Sequence, residues 1–223
     1  TTPTLPIKNF DVAISGMEEE RQEQMKPDLL ITYGGHIFSK QLKKYLRTHK
    51  PNAHCHMAYD GTLDDLFEWL TTALEMDPYD FLEKIAFMLD NKPTAYPMMW
   101  ENWCKIFPAP TLPYSQISVT GDLIQALPAP CALHLANSST VRYAQLFPLS
   151  NEVEVCCNRG VNGIEGSLSS ALGYAAASDK LNFVIIGDLS FFYDMNALWC
   201  THFHHNLRIL MLNNKGGEIF HTL

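Results

Sequence analysis

The stretch Asn182-Phe183-Val184-Ile185-Ile186-Gly187-Asp188 is an apolar, β-branched run that ends in a glycine and a carboxylate. A second apolar run, residues 208–212, ends in Asn213-Asn214-Lys215-Gly216-Gly217. Short apolar runs that stop at glycine and polar residues are typical of buried strands in parallel sheets. Residues 196–204 between them have helical periodicity, so this region predicts a strand, a helix and a second parallel strand.

The same alternation continues upstream of this region. Apolar runs predict strands at residues 131–136 and 152–157, and amphipathic periodicity predicts helices at residues 139–147 and 167–177. Repeated β-α-β units build a parallel sheet, because each crossover helix packs back onto the sheet that its strands form. The sequence therefore predicts an α/β fold with helices on both faces of the sheet.

The first part of the chain shows a shorter version of this pattern. Residues 28–33 and 53–59 read as strands, Gly34-Gly35 as a tight turn, and residues 38–46 and 80–89 as helices. Five prolines fall between residues 91 and 113, and proline at this density breaks regular structure. We therefore predict two Rossmann-like domains, either of which could be incomplete, at residues 1–92 and 114–223, joined by a linker at 93–113.

The composition narrows the class of protein. The chain has 223 residues, 47% of them hydrophobic and 18% charged, with a net charge of −8. This profile predicts a soluble globular protein that binds neither nucleic acid nor an anionic membrane. The six cysteines are scattered without C-x-x-C spacing, which favours free thiols and a cytoplasmic location.

Polar residues at two strand ends predict a metal site. Asp188 and Asn214 are 26 residues apart (188 to 214) and follow two strands of one predicted sheet, whose carboxyl ends meet at a common edge. A carboxylate, an amide oxygen and a glycine-rich backbone suit Mg²⁺ together with a diphosphate. The alternative is that Asp188 caps a helix and residues 213–217 form a plain turn.

The tripeptide Gly-Asp-Leu occurs a second time, at Gly121-Asp122-Leu123. It leads directly into the apolar run Ile124-Gln125-Ala126-Leu127 rather than following a strand. We predict that Asp122 lies in the first turn of a helix and has a structural role.

Four motifs resemble those of the menaquinone-pathway synthase (MenD) family of thiamine-diphosphate enzymes. The family signature opens with Gly-Asp and closes with Asn-Asn, and here the third position is Leu189, as in the MenD variant. Residues 137–142 are similar to the family's Asn-Ser-x-x-x-Arg, and residues 158–166 to its Asn-Arg-Gly-x-x-Gly-Ile-Asp-Gly. Residues 34–42 resemble a Gly…Lys-Arg-Leu motif, with Gln41 in place of the arginine.

The resemblance assigns roles to individual residues. It implies Mg²⁺ or Mn²⁺ ligands at Asp188, Asn214 and the Gly216 carbonyl. Contacts to thiamine diphosphate are implied at the following residues: Gly187, Asp188, Leu189, Ser190, Asn214, Gly216, Gly217 and Ile164. Substrate contacts are implied at these: Lys40, Ser138, Arg142, Arg159, Ile219, Phe220 and Leu223.

The resemblance also implies a reaction. MenD enzymes decarboxylate 2-oxoglutarate and add the resulting succinyl-semialdehyde unit to isochorismate, so we expect these two substrates and a homodimer or homotetramer. We further expect this chain to be a fragment, with part of the central domain and most of the diphosphate-binding domain, truncated at the C-terminus. The glutamate that activates the cofactor is expected in an N-terminal domain. No catalytic residue is then expected in this chain, and alone it should be inactive.

Several alternatives stay open. The chain could be a different thiamine-diphosphate enzyme, a 2-oxo acid decarboxylase or an acetolactate synthase, although Leu189 argues against this. It could be a non-catalytic module of the same fold, although Asp188 and Asn214 are intact. Each arginine could form a surface ion pair, and Lys40 could belong to an exposed basic helix. The histidines at 54, 56, 202, 204 and 205 lack the spacing of a structural zinc site.

Overall fold

A computed structural model describes residues 10–35, 37, 39–88, 95–106, 111–160, 162–201 and 205–217. The chain divides into two compact units, Thr1–Pro108 and Ala109–Leu223. Within the described ranges, no helix has the length and apolar character that crossing a membrane requires.

The first unit contains a small parallel sheet. Its strands are β1 (Leu29–Tyr33), β2 (Ala53–Ala58) and β3 (Thr72–Glu75), in the order β1-β2-β3. Its helices are α1 (Phe10–Ser15), α2 (Glu19–Gln24), α3 (Lys40–Thr48), α4 (Pro78–Met88) and α5 (Ala95–Ile106). The strands and helices predicted in this part are confirmed, whereas β3 was not predicted, because only one of its four residues is even half-buried.

Helix α5 corrects the prediction that residues 93–113 lack regular structure. Trp100 is buried in the core of the first unit. The Trp103 indole donates a hydrogen bond to the Ala13 carbonyl at 3.0 Å, and the Tyr96 hydroxyl donates one to the Met25 carbonyl at 3.0 Å. Pro97 lies in the first turn of the helix, where its missing amide leaves no hydrogen bond unmade.

The second unit contains a four-stranded parallel sheet. Its strands are β4 (Cys131–Leu135), β5 (Val153–Cys157), β6 (Leu181–Gly187) and β7 (Leu207–Leu212). Its helices are α6 (Gln116–Ala126), α7 (Ser139–Ala144), α8 (Ser167–Ala176) and α9 (Asp188–Asp194), followed by a short 3-10 helix (Met195–Trp199). The four strands and helices α7 and α8 were predicted to within two or three residues at each end, and the α/β fold class is confirmed.

The order of the strands creates a crevice in the sheet. The order is β5-β4-β6-β7, so the chain steps from β4 outward to β5 and then returns past β4 to β6. Crossovers between parallel strands are right-handed as a rule, so two crossovers that run in opposite directions along the sheet put α7 and α8 on opposite faces. The loops that follow β4 and β6 therefore leave the sheet in opposite directions, and a crevice opens between the carboxyl ends of these strands.

Two helix starts differ from the sequence prediction. The helix after β6 begins at Asp188, not at residue 196, because Gly187 in extended conformation ends the strand and the helix follows directly. Of the helix predicted at 196–204, residues 196–199 belong to the 3-10 helix, and residues 202–204 lie outside the described ranges. Asp122 lies in the middle of α6, which begins six residues earlier because Ser115 and Ser118 form a capping box.

Candidate functional site

A cavity of about 380 Å³ lies at the crevice between β4 and β6. Segments that follow all four strands of the sheet and the start of α6 form its wall. The lining residues are Gln116, Asn137, Ser138, Ser139, Thr140, Ile164, Gly187, Asp188, Leu189, Ser190, Tyr193, Leu212, Asn214 and Gly217. The position is the one at which open α/β sheets bind ligands.

Asp188 and Asn214 meet in this wall. The Asp188 side chain is only 6% exposed; its Oδ1 accepts a hydrogen bond from the Leu189 amide at 2.7 Å and its Oδ2 one from the Gly216 amide at 3.0 Å. The Asn214 Oδ1 accepts from the same Gly216 amide at 3.2 Å. The two side-chain oxygens that the sequence predicted to lie together are therefore neighbours in the structure.

These oxygens fit a hard cation. A carboxylate and an amide oxygen are the ligand types that Mg²⁺ prefers, and each oxygen has a further lone pair beyond the shared amide. Among the described residues no group of three or more His, Cys, Asp or Glu side chains is arranged to hold a metal ion. A site with one carboxylate relies on phosphate oxygens for the remaining ligands, as magnesium sites do. The Gly216 contact seen here is through its amide, whereas its carbonyl was the predicted ligand.

The turn after β7 has an unusual backbone. Lys215, Gly216 and Gly217 have φ angles of +67°, +134° and +71°. Glycine adopts such angles at little cost, which explains why two of the three residues are glycine. A Cβ built on Gly216 or Gly187 would meet no atom within 4 Å, so the backbone at both positions borders open space. The residues present thus leave room for a phosphate close to the backbone.

Ser138 is held in a strained conformation at the end of β4. Its φ is +73° and its ψ is −128°, a region that residues other than glycine rarely occupy. This conformation brings Ser138 into the lining of the cavity. Strain at a ligand cavity is a common property of functional residues. Ser138 is the predicted substrate residue for which the geometry gives the clearest support.

The other predicted substrate residues are less closely grouped. Arg142 lies exposed on α7, about one helical turn after Ser138. Arg159 is half-buried just after β5. Lys40 is the first residue of α3 in the other unit, where the Ser39 hydroxyl caps the helix. Ile219, Phe220 and Leu223 lie outside the described residues.

Several residues that the sequence did not single out also belong to the site. Asn137 is 4% exposed and donates from Nδ2 to the carbonyls of Asn158 and Gly163. Ser190, by contrast, was predicted as a cofactor contact, and its hydroxyl donates to the Ile164 carbonyl. Asn137 opens the motif of residues 137–142, a signal that could have identified it. Gln116 and Tyr193 carry no such signal.

Three of the described histidines have structural hydrogen-bond partners. His54 Nε2 and His56 Nδ1 each lie 2.9 Å from the Thr32 hydroxyl. His134 Nε2 lies 2.9 Å from Asn182 Oδ1. Burial lowers the pKa of His54 and of His134, so both are neutral near pH 7. The zinc alternative therefore gains no support from the described histidines.

Comparison with known proteins identifies relatives over the whole chain, although no family profile matches it. It is 71% identical, over 223 residues, to the "2-succinyl-5-enolpyruvyl-6-hydroxy-3-cyclohexene-1-carboxylate synthase" of Phocaeicola vulgatus, covering 100% of this chain and 40% of that protein. The proteins of the same name from Bacteroides thetaiotaomicron and Flavobacterium psychrophilum are 63% and 39% identical over 100% and 97% of this chain. Each match covers 40% of the relative. The chain belongs to this synthase family.

Membership of the synthase family confirms the resemblance seen in the four motifs. The chain spans about 40% of the length of the curated synthases that it matches. The synthase motifs that follow β4, β6 and β7 all contribute residues to the wall of the crevice. The sequence motifs shared with the synthases and the position of these motifs in the sheet therefore both indicate the crevice as the functional site.

Proposed function

We propose that a full-length synthase carrying this chain uses thiamine diphosphate and Mg²⁺ to decarboxylate 2-oxoglutarate and to transfer the succinyl-semialdehyde unit to isochorismate. In this proposal the second unit of the chain holds the diphosphate and the cation. The observation that carries it is the meeting of Asp188 and Asn214 at the crevice between β4 and β6. The names of relatives up to 71% identical support the same reaction.

The chain's own residues would share the work of binding. Asp188 would supply negative charge to the cation, and Asn214 a neutral oxygen. Gly187 and Gly217 line the cavity. The backbone at Gly187 and Gly216 leaves space beside it for phosphate oxygens. When bound, the cofactor supplies the carbanion chemistry that removes CO₂ from a 2-oxo acid.

Substrate recognition would fall to the rim of the crevice. Ser138 lines the cavity, and a hydroxyl there can orient a carboxylate. Arg142 and Arg159 follow β4 and β5 at the same edge of the sheet. Their planar guanidinium groups suit carboxylates, and both substrates carry more than one carboxylate. Ile164 would form the apolar part of the wall against the cofactor.

Product analysis of a full-length synthase carrying this chain tests the proposal. We expect 2-oxoglutarate and isochorismate to disappear together, with one CO₂ released per pair, and only when thiamine diphosphate and Mg²⁺ are both present. Turnover of pyruvate without isochorismate would instead indicate a decarboxylase or an acetolactate synthase. No turnover of any 2-oxo acid, with no cofactor bound, would indicate a non-catalytic module.

A further inference from the structure

The loop that carries Ile164 has to reach across a strand to enter the cavity. It follows β5, which lies at the edge of the sheet, whereas the cavity lies between β4 and β6. β4 therefore separates the origin of this loop from the place where Ile164 lines the wall. Residues 158–160 and 162–166 of the loop contain no helix or strand, so its path depends on contacts with other parts of the unit.

Two side chains at the carboxyl ends of the neighbouring strands β4 and β6 bind the backbone of this loop. Asn137, just after β4, donates from Nδ2 to the Asn158 carbonyl at 2.8 Å and to the Gly163 carbonyl. Ser190, in the first turn of α9 after β6, donates from its hydroxyl to the Ile164 carbonyl. The two donors thus come from the two sides of the crevice, and their acceptors include the carbonyl of Ile164 and that of the residue before it.

Both donors are buried, which makes their hydrogen bonds strong constraints. Asn137 is 4% exposed and Ser190 is 5% exposed. A buried polar group that loses its partner cannot turn to water instead, so each donor is held to its carbonyl. Ile164 itself is only half-buried.

We infer that Asn137 and Ser190 are positioning residues that act together as a clasp: they fix the described parts of this loop, residues 158–160 and 162–166, and thereby hold Ile164 in the wall of the cavity. The effect on the cofactor rests on the proposed function, but the effect on the loop does not. Asn137 and Ser190 then influence cofactor binding through Ile164, and their own contacts with the ligand are secondary.

Hydrogen exchange of this chain tests the clasp without any ligand. We expect Asn137→Ala and Ser190→Ala each to speed exchange of the amides at 162–166 by about tenfold or more, because these amides lose the order that the clasp imposes. The matched control is Asn206→Ala. Asn206 Nδ2 also donates to backbone carbonyls, those of Ala175, Ser178 and Lys180, at 3.1, 2.8 and 3.0 Å.

The control should lower the stability of the unit and leave exchange at 162–166 relative to the rest of the sheet unchanged. Unchanged exchange at 162–166 in both clasp variants overturns the inference, whatever the chain's activity. So does an equal acceleration of exchange at these amides in Asn206→Ala, since the loop would then only report global stability.

Cofactor affinity in a full-length synthase carrying this chain tests the route through Ile164. We expect Asn137→Ala to weaken thiamine-diphosphate binding by about tenfold with Ile164 present, and by less than about twofold in an Ile164→Ala background. Ser190→Thr, which keeps the hydroxyl, should restore most of the affinity that Ser190→Ala loses. An undiminished effect of Asn137→Ala in the Ile164→Ala background shows that Asn137 acts directly and overturns the clasp.

Absence of cofactor binding by the unaltered protein contradicts the proposed function instead, and the exchange experiment still decides the clasp.

Discussion

Asp188 and Asn214 accept hydrogen bonds from a single donor, the amide of Gly216, at 3.0 and 3.2 Å. One amide hydrogen cannot satisfy two oxygens fully, so both oxygens keep the capacity to bind a further positive group. Asp188 follows β6 and Asn214 follows β7, and these strands are neighbours in the sheet. Strand pairing therefore places the two oxygens, and the glycine turn aligns them.

Replacing Asp188 tests the proposed cation site. In a full-length synthase carrying this chain, we expect Asp188→Asn to weaken Mg²⁺-dependent binding of thiamine diphosphate by roughly 100-fold. The variant keeps the shape of the side chain but removes the charge, and loss of a charged contact costs about 2–3 kcal/mol. Titration calorimetry with and without Mg²⁺ measures the change.

Asp122 provides the matched control for this experiment. It occupies the same position in the second Gly-Asp-Leu tripeptide of the chain, but it lies exposed within α6. Asp122→Asn should leave the dissociation constant of the cofactor unchanged. If the two variants bind thiamine diphosphate equally well, the assignment of the cation site to Asp188 is wrong.

The two arginines at the sheet edge are expected to act on substrate. In the same full-length synthase, Arg142→Ala and Arg159→Ala should each lower kcat/KM about 30- to 150-fold, equivalent to about 2–3 kcal/mol, because a charge-assisted contact is lost. Cofactor affinity should stay close to that of the unaltered protein. Steady-state kinetics with each substrate varied in turn shows which carboxylate each arginine binds.

Arg208 is a suitable comparison because it donates to the carbonyls of His205 and Leu207 near the amino end of β7. Arg208→Ala should leave kcat/KM nearly unchanged. A parallel loss of cofactor affinity in the Arg142 and Arg159 variants would place these residues on the diphosphate.

Backbone strain at Ser138 predicts that this residue lowers the stability of the folded chain. Its φ of +73° suits glycine, so Ser138→Gly should raise the free energy of unfolding by about 1 kcal/mol through relief of backbone strain. Ser138→Ala keeps the strain and should not stabilise. Urea unfolding of the chain measures both, and destabilisation of the glycine variant would show that the hydroxyl contributes more than the strain costs.

Buried histidines predict that stability falls in acid. Burial lowers the pKa of His134 below the ordinary 6.5, although its contact with Asn182 and the nearby Glu154 charge oppose this shift. The unfolded chain then binds a proton below pH 6.5 that the folded chain binds only at lower pH. The contribution of His134 to stability is therefore complete above pH 6.5 and is lost as the pH falls below it.

Urea unfolding at pH 7 and at pH 5 tests this sign. The free energy of unfolding should decrease by up to about 1.4 kcal/mol per pH unit for each such histidine. His134→Gln removes one titrating group and should make the decrease shallower; His54, which burial affects in the same direction, should account for part of the remainder. A slope that is the same in both proteins would exclude His134 as a source of acid sensitivity.

The sequence was most informative where local pattern and position in the sheet agree. Strands β4 to β7 are apolar runs that stop at glycine or asparagine, so their ends, and with them Asp188 and Asn214, could be predicted. Helix α5 was missed because the proline count outweighed Trp100, whose burial depends on residues far away in the chain. Asn137 was quoted only as part of a motif, because its acceptors are carbonyls 21 and 26 residues away, and no local pattern reveals such a contact.

The order of the strands also has a consequence for how the chain is made. During synthesis β4 can pair with β5 once residue 153, the partner of Cys131, has emerged, but its other edge must wait for Leu181. Until then one edge of β4 has no partner strand, although all residues of β4 are buried in the folded unit. An unpaired strand edge of this kind can pair with other chains. A nascent chain that stops between residues 167 and 180 is thus expected to aggregate. The strand order that opens the crevice in the folded molecule therefore delays strand pairing at the crevice until β6 has left the ribosome.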